Sequence, residues 1–430
     1  MKLNIPATEK PRVVIIGGGF GGLNLIQKLK KKKFQIVLID RHNYHTFQPL
    51  LYQVAMGGLE PDSIAYPLRK YISSKGKDMF FRLCEVEKIS PEEQLVKTDK
   101  GELDYDFLVI ATGSRTNYFG IESIQKNSLE LKSIPHSLDL RSLLLQNLER
   151  ALMTDDKDER ARLLNFVIVG GGPTGVELAG ALCELKKFVF RREYHDLDID
   201  ELNIYLLEGL DRLLNGMSEK ASEKTYSYLE KLGARIRLKT MVEEYDGQKI
   251  EIGEDEVIPT YNLIWTAGVE GAFPDGIDKD NIDKGNRVRV NEYCQVKDHD
   301  NLFVIGDAAA MISEENPKGH PMLAQVAIQM AKLVGANLNK SIEAKSWERF
   351  KYKNKGVLAT IGRNKAVADL PSMKVQGTFA WYIWLFVHLM FLVGFQNKLV
   401  VMMNWFIGYI RYNSPLRLII RPFKRNNNDS

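Results

Sequence analysis

Two stretches of the chain carry one pattern. Residues 13–22 read VVIIGGGFGG and residues 167–175 read VIVGGGPTG: a short apolar run, a glycine cluster, then a helix-like stretch. An unbroken apolar run without polar alternation predicts a parallel strand covered on both faces. The clusters begin at Gly17 and Gly170, 153 residues apart, a domain length, so two dinucleotide-binding units are expected. Further strand-like runs end in small residues: YDFLVIATG (105–113), YNLIWTAG (261–268) and LFVIGD (302–307). Each sets a tight turn at a strand's carboxyl end, where open α/β sheets bind ligands. Residues 137–164 predict a helix whose polar middle, TDDKDERAR, is a solvated face or loop. Residues 217–231 predict another helix before the strand ARIRLKT, and RVNEYCQV (289–296) reads as a further strand-like run.

The pattern changes after Asp369, because the next acidic residue is Asp429. Between them, Val375 to Asn397 gives 23 residues without Asp, Glu, Lys or Arg. Its strongest part, 379–395, would be about 26 Å long as a helix, short of the roughly 20 residues that span a bilayer. The second apolar run, 399–410, contains Asn404 and Gly408. Trp381, Trp384, Trp405, Tyr382 and Tyr409 suit a lipid–water interface, and Arg411, Arg417, Arg421, Lys424 and Arg425 suit anionic headgroups. The expectation is two interfacial helices lying on a membrane. A spanning segment and a surface that pairs two protomers are the alternatives.

Composition adds exclusions. With 430 residues, 44% hydrophobic and 27% charged, the chain is globular and long enough for two to three domains. A net charge of +4 is too diffuse for a nucleic-acid partner. Cys84, Cys183 and Cys294 are far apart and form no CxxC pair, which disfavours zinc ribbons and cysteine-ligated clusters; no metal is expected. The N-terminus has no signal-peptide h-region before its first core strand.

Gly17, Gly19 and Gly22 fit GxGxxG, with Gly18, Phe20 and Gly21 completing the loop; the next strand, QIVLID, ends at Asp40. Glycines permit a tight turn and close approach to a pyrophosphate at the helix N-terminus, while the acid accepts from a ribose. Gly170, Gly172 and Gly175 repeat the spacing, with Pro173 and Thr174 between them, and Glu208 ends NIYLLE as the second acid. A carboxylate there favours NADH, since the 2′-phosphate of NADPH would be repelled by a few kcal/mol, roughly, at a surface-like dielectric. FAD is therefore expected on the first unit and NADH on the second. The Ala111-Thr112-Gly113 turn and Asp307, at a strand end followed by the helix-forming AAAMI, complete the FAD site, and Ala267 and Gly268 the NADH site. The expected architecture is α/β, with an NADH domain (116–285) inserted into an FAD domain (1–115 and 286–345) and a C-terminal membrane-associating helical region (346–430).

These residues resemble the two-dinucleotide flavoprotein reductases. Four features narrow the resemblance to the type II, non-proton-pumping NADH:quinone oxidoreductases: HTFQPLLYQVA from His45 to Ala55; GGGPTGVE ending in Glu177; Ala324-Gln325-Val326-Ala327-Ile328-Gln329, similar to AQxAxQ; and the Trp-rich C-terminal region. The resemblance implies that NADH reduces FAD, which passes electrons to a membrane quinone, menaquinone or ubiquinone, in a peripheral protein on the cytoplasmic face of the cell membrane. It implies catalytic roles for Glu177, Gln325 and Gln329, with Glu177 either positioning nicotinamide or delivering a proton. Gln325 and Gln329 share a helix face and would bind quinone. Gln48 would lie by the flavin edge. Asp40, Arg41 and backbone near Val86 would contact the adenosine part of FAD, with Ala324 and Gln325 also in the FAD site. Two other readings remain: a sulfide:quinone oxidoreductase, which needs a cysteine pair beside the flavin, and a non-catalytic NADH-sensing flavoprotein whose tail docks a partner.

Overall fold

The structure, a computed structural model, describes residues 1–253, 256–411 and 417–424. Its contacts divide the chain into two units, each assembled from three segments: 1–45, 66–115 and 269–354 in the first, and 46–65, 116–268 and 355–430 in the second.

The first unit is built on a five-stranded parallel sheet. The buried strand Arg12–Ile16 lies at its centre. Gln35–Asp40 and then Met79–Leu83 follow on one side, and Phe107–Ile110 and then Leu302–Val304 on the other. Every residue of RVVII is buried, so the run has no polar alternation. Ile16 is in register with both Ile39 and Ile110, so these strands end together. The glycine-loop helix Phe20–Lys28 packs on the helix Ala324–Ser341. Gly335 permits the approach, since a Cβ there would lie 2.8 Å from Lys28 Cβ.

The second unit repeats this order. Asn165–Val169 is central, flanked by Asn203–Leu207 and Arg235–Arg237 on one side and by Asn262–Trp265 and Leu129–Glu130 on the other, all parallel. The expected helix over 137–164 is two helices, Ile134–Leu152 and Lys157–Leu164. Asp156 caps the second by accepting from the Asp158 and Glu159 N–H groups, which explains the break in the polar stretch. The helix Pro173–Leu185 passes into a π-turn at Lys186–Phe190 rather than continuing as one α-helix.

The segment 46–65, expected with the first sheet, groups with the second because its helix Leu51–Ala55 packs on Ile134–Leu152 and Pro173–Leu185. The C-terminal region, expected as a separate unit, also groups there. Its antiparallel sheet of Val357–Gly362, Lys365–Leu370 and Met373–Gln376 lies against Pro173–Leu185. The apolar helices Thr378–Phe391 and Phe395–Arg411 follow.

Two local expectations are corrected. RVNEYCQV is not a strand beyond the pair Val288–Arg289. Asn291 Oδ1 accepts from the Tyr293 and Gln295 N–H groups, forming a turn that places buried Cys294 at φ 67°. Asp307 is followed by no α-helix: it lies in the single 3-10 turn Gly306–Ala308, and Ala309–Ala310 pair as a short strand with Val288–Arg289.

A Cβ on Gly180 would lie 2.1 Å from the Ile361 carbonyl oxygen, whereas one on Gly216 meets nothing within 4 Å. Gly180→Ala is therefore expected to destabilise the second unit by about 1–3 kcal/mol, and Gly216→Ala by less than about 0.5 kcal/mol. Paired denaturant titrations read the difference.

Candidate functional site: two glycine loops and a buried carboxylate

The two glycine loops are near-copies of one another. Gly17 has φ 105° and Gly170 φ 109°. A Cβ on Gly17 would lie 2.4 Å from the Ala111 carbonyl oxygen, and one on Gly170 would lie 2.7 Å from the Ala267 nitrogen. Gly22 and Gly175 close the loops: their Cβ atoms would sit 2.0 Å from Gly17 O and 1.9 Å from Gly170 O. Asp40 Oδ2 accepts from the Gly18 N–H at 2.6 Å, and Glu208 Oε2 from the Gly171 N–H at 2.5 Å. The other oxygens accept from the His42 N–H (2.7 Å) and the Leu210 N–H (2.8 Å). Each acid is thus fixed at its strand end with lone pairs left for ribose hydroxyls.

These loops fit dinucleotides. Glycine is the N-cap residue of both helices, Gly19 and Gly172, so no side chain satisfies the first-turn N–H groups. A Cβ at either position meets nothing within 4 Å, which leaves a phosphate direct access to a helix N-terminus. In the first unit, buried His45 is held at Gly18 O by its Nδ1 at 2.9 Å, and its Nε2 is buried without a partner. A bound cofactor would complete that valence. Gly113 and Gly268 both adopt φ 75°, turning the chain at the ends of ATG and TAG.

The structure gathers most of the expected first-unit residues. Asp307 accepts from Ser114 Oγ at 2.8 Å, just beyond the Ala111–Gly113 turn. The Cys84 N–H bonds to Asp40 O at 3.2 Å, which brings the start of the strand Val86–Ser90 toward that strand end. Exposed Arg41 pairs loosely with Glu85 at 3.8 Å. Gln48 is exposed and belongs to the second unit.

Glu177, in the first turns of Pro173–Leu185, is buried at 7% exposure. Its Oε1 accepts from the Thr360 N–H (3.3 Å) and from Trp384 Nε1–H (3.2 Å). Burial pushes Glu177 up to about 8 against these two hydrogen bonds. Tyr52 is also buried and is raised by its burial and by facing Glu177; its hydroxyl accepts from Gln53 Nε2 at 2.9 Å, and Gln53 Oε1 accepts from Trp405 Nε1–H at 2.8 Å. His388 stacks on Trp384 with centroids 4.0 Å apart, and burial pushes it down to about 4. Glu177 is legible in the sequence motif, and Tyr52 there only as a member of HTFQPLLYQVA; Thr360 and His388 carry no motif, and Trp384 and Trp405 read only as interfacial. The i,i+4 spacing of Trp384 and His388 within an apolar run was the available signal.

Gln329 has main-chain partners. Its Nε2 donates to Lys353 O and its Oε1 accepts from the Lys353 N–H, both at 3.0 Å. Both amide functions are thus engaged with main chain, and Gln329 anchors the segment that follows its helix. Gln325 lies one turn earlier, in the first turn of Ala324–Ser341.

All three cysteines are buried, and burial raises each thiol, Cys183 to about 12. Such thiols are poor nucleophiles. No helix of the described residues is long and apolar enough to cross a membrane. Two residues of the basic tail are engaged within the chain rather than free for headgroups: Arg417 Nε donates to Glu193 at 2.8 Å and Arg421 pairs with Asp139 at 2.5 Å. Arg425 and the side chain of Arg411 lie outside the described residues.

Two parallel sheets, each with a glycine loop clamped by a strand-end carboxylate, define a two-dinucleotide flavoprotein oxidoreductase. Residues 11–331 match the family described as pyridine nucleotide-disulphide oxidoreductase, and residues 354–411 match the NDH2 C-terminal domain. The Mycobacterium tuberculosis type II NADH:quinone oxidoreductase Ndh is 34% identical over 94% of this chain and 90% of its own length; its paralogue NdhA is 35% identical over 93% and 87%. The solved NDH2 structure from Plasmodium falciparum, in complex with NADH, superposes with a TM-score of 0.88 at 22% identity, covering 96% of this chain and all of that one. The sulfide:quinone oxidoreductase of Aquifex aeolicus shares the fold at a TM-score of 0.65 and 20% identity, covering 93% of this chain and 94% of that one. The chain belongs to the type II NADH:quinone oxidoreductase family.

The buried pair Glu177 and His388 has opposed effects on stability. Native Glu177 keeps its proton to about pH 8, whereas an unfolded glutamate releases it near about 4.3, so this group lowers stability as pH rises through that window. Native His388 stays neutral down to about pH 4, and an unfolded histidine charges below about 6.5, so this group raises stability as pH rises from 4 to 6.5. Between pH 6.5 and 8 only Glu177 of the two acts. Glu177→Gln is expected to gain on the native protein there, by up to about 1.4 kcal/mol per pH unit, and to gain nothing further above pH 8. Denaturant titrations across pH 6.5–9 read this; parallel curves would mean that Glu177 ionises normally.

Proposed function

We propose that the two glycine loops divide the reaction between them. Gly17–Gly22, Asp40, Arg41, Val86, Ala111–Gly113, Asp307 and Ala324 hold FAD; Gly170–Gly175, Glu208, Ala267 and Gly268 hold NADH beside Glu177; and Gln325 faces the quinone. The enzyme is an FAD-dependent NADH:quinone oxidoreductase and a peripheral membrane protein. The observation that supports this division is the duplicated carboxylate clamp, Asp40 on Gly18 and Glu208 on Gly171.

FAD held by the first loop would supply the hydride-accepting and electron-passing chemistry between NADH and quinone. The chain supplies position and protons. Glu208 accepts from ribose hydroxyls and repels a 2′-phosphate. Glu177 is neutral below about pH 8. Two N–H groups occupy Oε1 and Oε2 makes no hydrogen bond among the described residues, so its proton rests on Oε2, the oxygen free to deliver it. Gln325 offers an uncharged amide to a quinone carbonyl, while Gln329 positions the chain behind it. Exposed Phe379, Tyr382, Phe386 and Phe406 face lipid on the cytoplasmic side. We favour lipid over a second copy of the chain because Trp381 and Tyr409 flank this surface with amphipathic rings.

Purified protein is expected to reduce a soluble quinone with NADH and to use NADPH poorly and sulfide not at all; sulfide as the preferred donor would overturn the reading. Glu208→Gln should narrow the preference for NADH over NADPH by roughly tenfold, and an unchanged preference would place selection elsewhere.

In single-turnover experiments, Gln325→Leu should spare flavin reduction by NADH and slow reoxidation by quinone about tenfold to a hundredfold. Gln329→Leu should mainly lower stability, by less than about 1 kcal/mol for two exposed hydrogen bonds. The reverse ranking of the two variants in quinone reoxidation would return the quinone contact to Gln329.

A further inference from the structure

The helix Thr378–Phe391 exposes a row of large side chains. Phe379, Tyr382, Phe386 and Met390 are each more than half exposed. Trp384 points inward at 1% exposure, and its Nε1–H reaches Glu177 Oε1 at 3.2 Å. The indole is held in place. The His388 ring lies against it at 4.0 Å and 24° and is itself fixed by donating Nδ1–H to Trp384 O at 2.8 Å. Phe47 meets His388 edge-on at 6.1 Å, and Trp405 of the second apolar helix lies 5.8 Å from Trp384. A helix with an outward apolar face thus presents one oriented donor to the buried carboxylate.

We propose that Trp384 is a positioning residue for Glu177: by fixing Oε1 it directs the proton to Oε2 and sets the pH at which that proton is exchanged during turnover, so that proton delivery depends on the seating of the helix Thr378–Phe391. This rests on the reading of Glu177 as the proton-holding group. An N–H aimed at a carboxylate oxygen stabilises the ionised form, and burial opposes it. Here only the Thr360 N–H and the indole favour ionisation. The surrounding groups add little positive charge. On its own helix is Glu184, which accepts from the Arg363 N–H at 2.7 Å; Arg363 and Lys365, on the packed antiparallel sheet, act on Glu184. Tyr52 faces Glu177 from the helix Leu51–Ala55, and His388 stays neutral. The helix Glu219–Leu232 buries only Ala221, Ser222, Thr225 and Leu229. Removing the indole N–H therefore leaves a single donor on the carboxylate.

The test uses the flavin-loaded enzyme in lipid vesicles and follows the pH profile of NADH-driven quinone reduction. Trp384→Phe keeps most of the packed ring and removes the donor. The apparent pKa of the alkaline limb should move upward by about one pH unit, with the KM for NADH unchanged. Glu177→Gln should abolish the limb in both backgrounds. A limb that persists in Glu177→Gln refutes the role of Glu177 itself. A limb lost in Glu177→Gln but unmoved in Trp384→Phe overturns only the present proposal.

A second measurement does not depend on Trp384→Phe folding. The chain has five tryptophans, and among the described residues only the indole of Trp384 donates to a carboxylate; those of Trp265, Trp347 and Trp405 donate to Asn117 O, Ser341 Oγ and Gln53 Oε1. In enzyme labelled with ¹⁵N at the indoles, one N–H resonance should titrate with the midpoint of the kinetic limb and stand still in Glu177→Gln. Five indole resonances that ignore this titration would overturn the proposal.

Discussion

Close approach of backbone to backbone is the constraint on which both nucleotide sites rest. At Gly22 and Gly175 the oxygen of the first loop glycine stands about 2 Å from where a side chain would begin. At Gly17 and Gly170 the loop passes as tightly against the neighbouring strand end. Any Cβ at these four positions would push the loop outward, separate Gly18 from Asp40 and Gly171 from Glu208, and withdraw the helix N-terminus from a phosphate. The strand-end acids are therefore not independent features. They are held in place by the N–H groups that the glycines bring to them, and the shared register of Ile16, Ile39 and Ile110 puts the strand ends at one level.

A second constraint concerns charge. Burying a carboxyl without a cationic partner favours its neutral form, and Glu177 meets only two neutral N–H donors. That environment is assembled by the chain's last third: Thr360 comes from the antiparallel sheet, Trp384 and His388 from the first apolar helix. The second apolar helix is tied down separately, by Asn397 to Asp62 O and Ala65 O, by Asn404 to Glu60, and by Trp405 to Gln53. The helices with outward apolar faces therefore also build the interior of the second unit, which explains why the C-terminal region groups with it.

Much of this was legible along the chain. The runs VVII and VIV, the GxGxxG spacings and the acids at Asp40 and Glu208 are local patterns, and each maps onto a strand, loop or strand end in the structure. The two C-terminal helices were visible as apolar runs. What could not be read was pairing at long range. Gln329 looked like one half of an i,i+4 amide pair, but its partner is the main chain of Lys353. Arg417 and Arg421 looked like free cations, but their partners Glu193 and Asp139 are more than 200 residues away in sequence.

The two parallel sheets, the positions of their ligand-binding ends and the apolar character of the tail follow from hydrophobic period and from glycine's freedom at short range, both of which are local in the chain. Which segments share a unit, that Glu177 is enclosed by Thr360 and Trp384, and that Asp307 is followed by a strand pair instead of an α-helix are settled by long-range packing. These outcomes depend on which side chain meets which main-chain group across the fold. A hydrogen-bond donor or a desolvated pocket is a property of neighbours in space, and a linear pattern does not encode it.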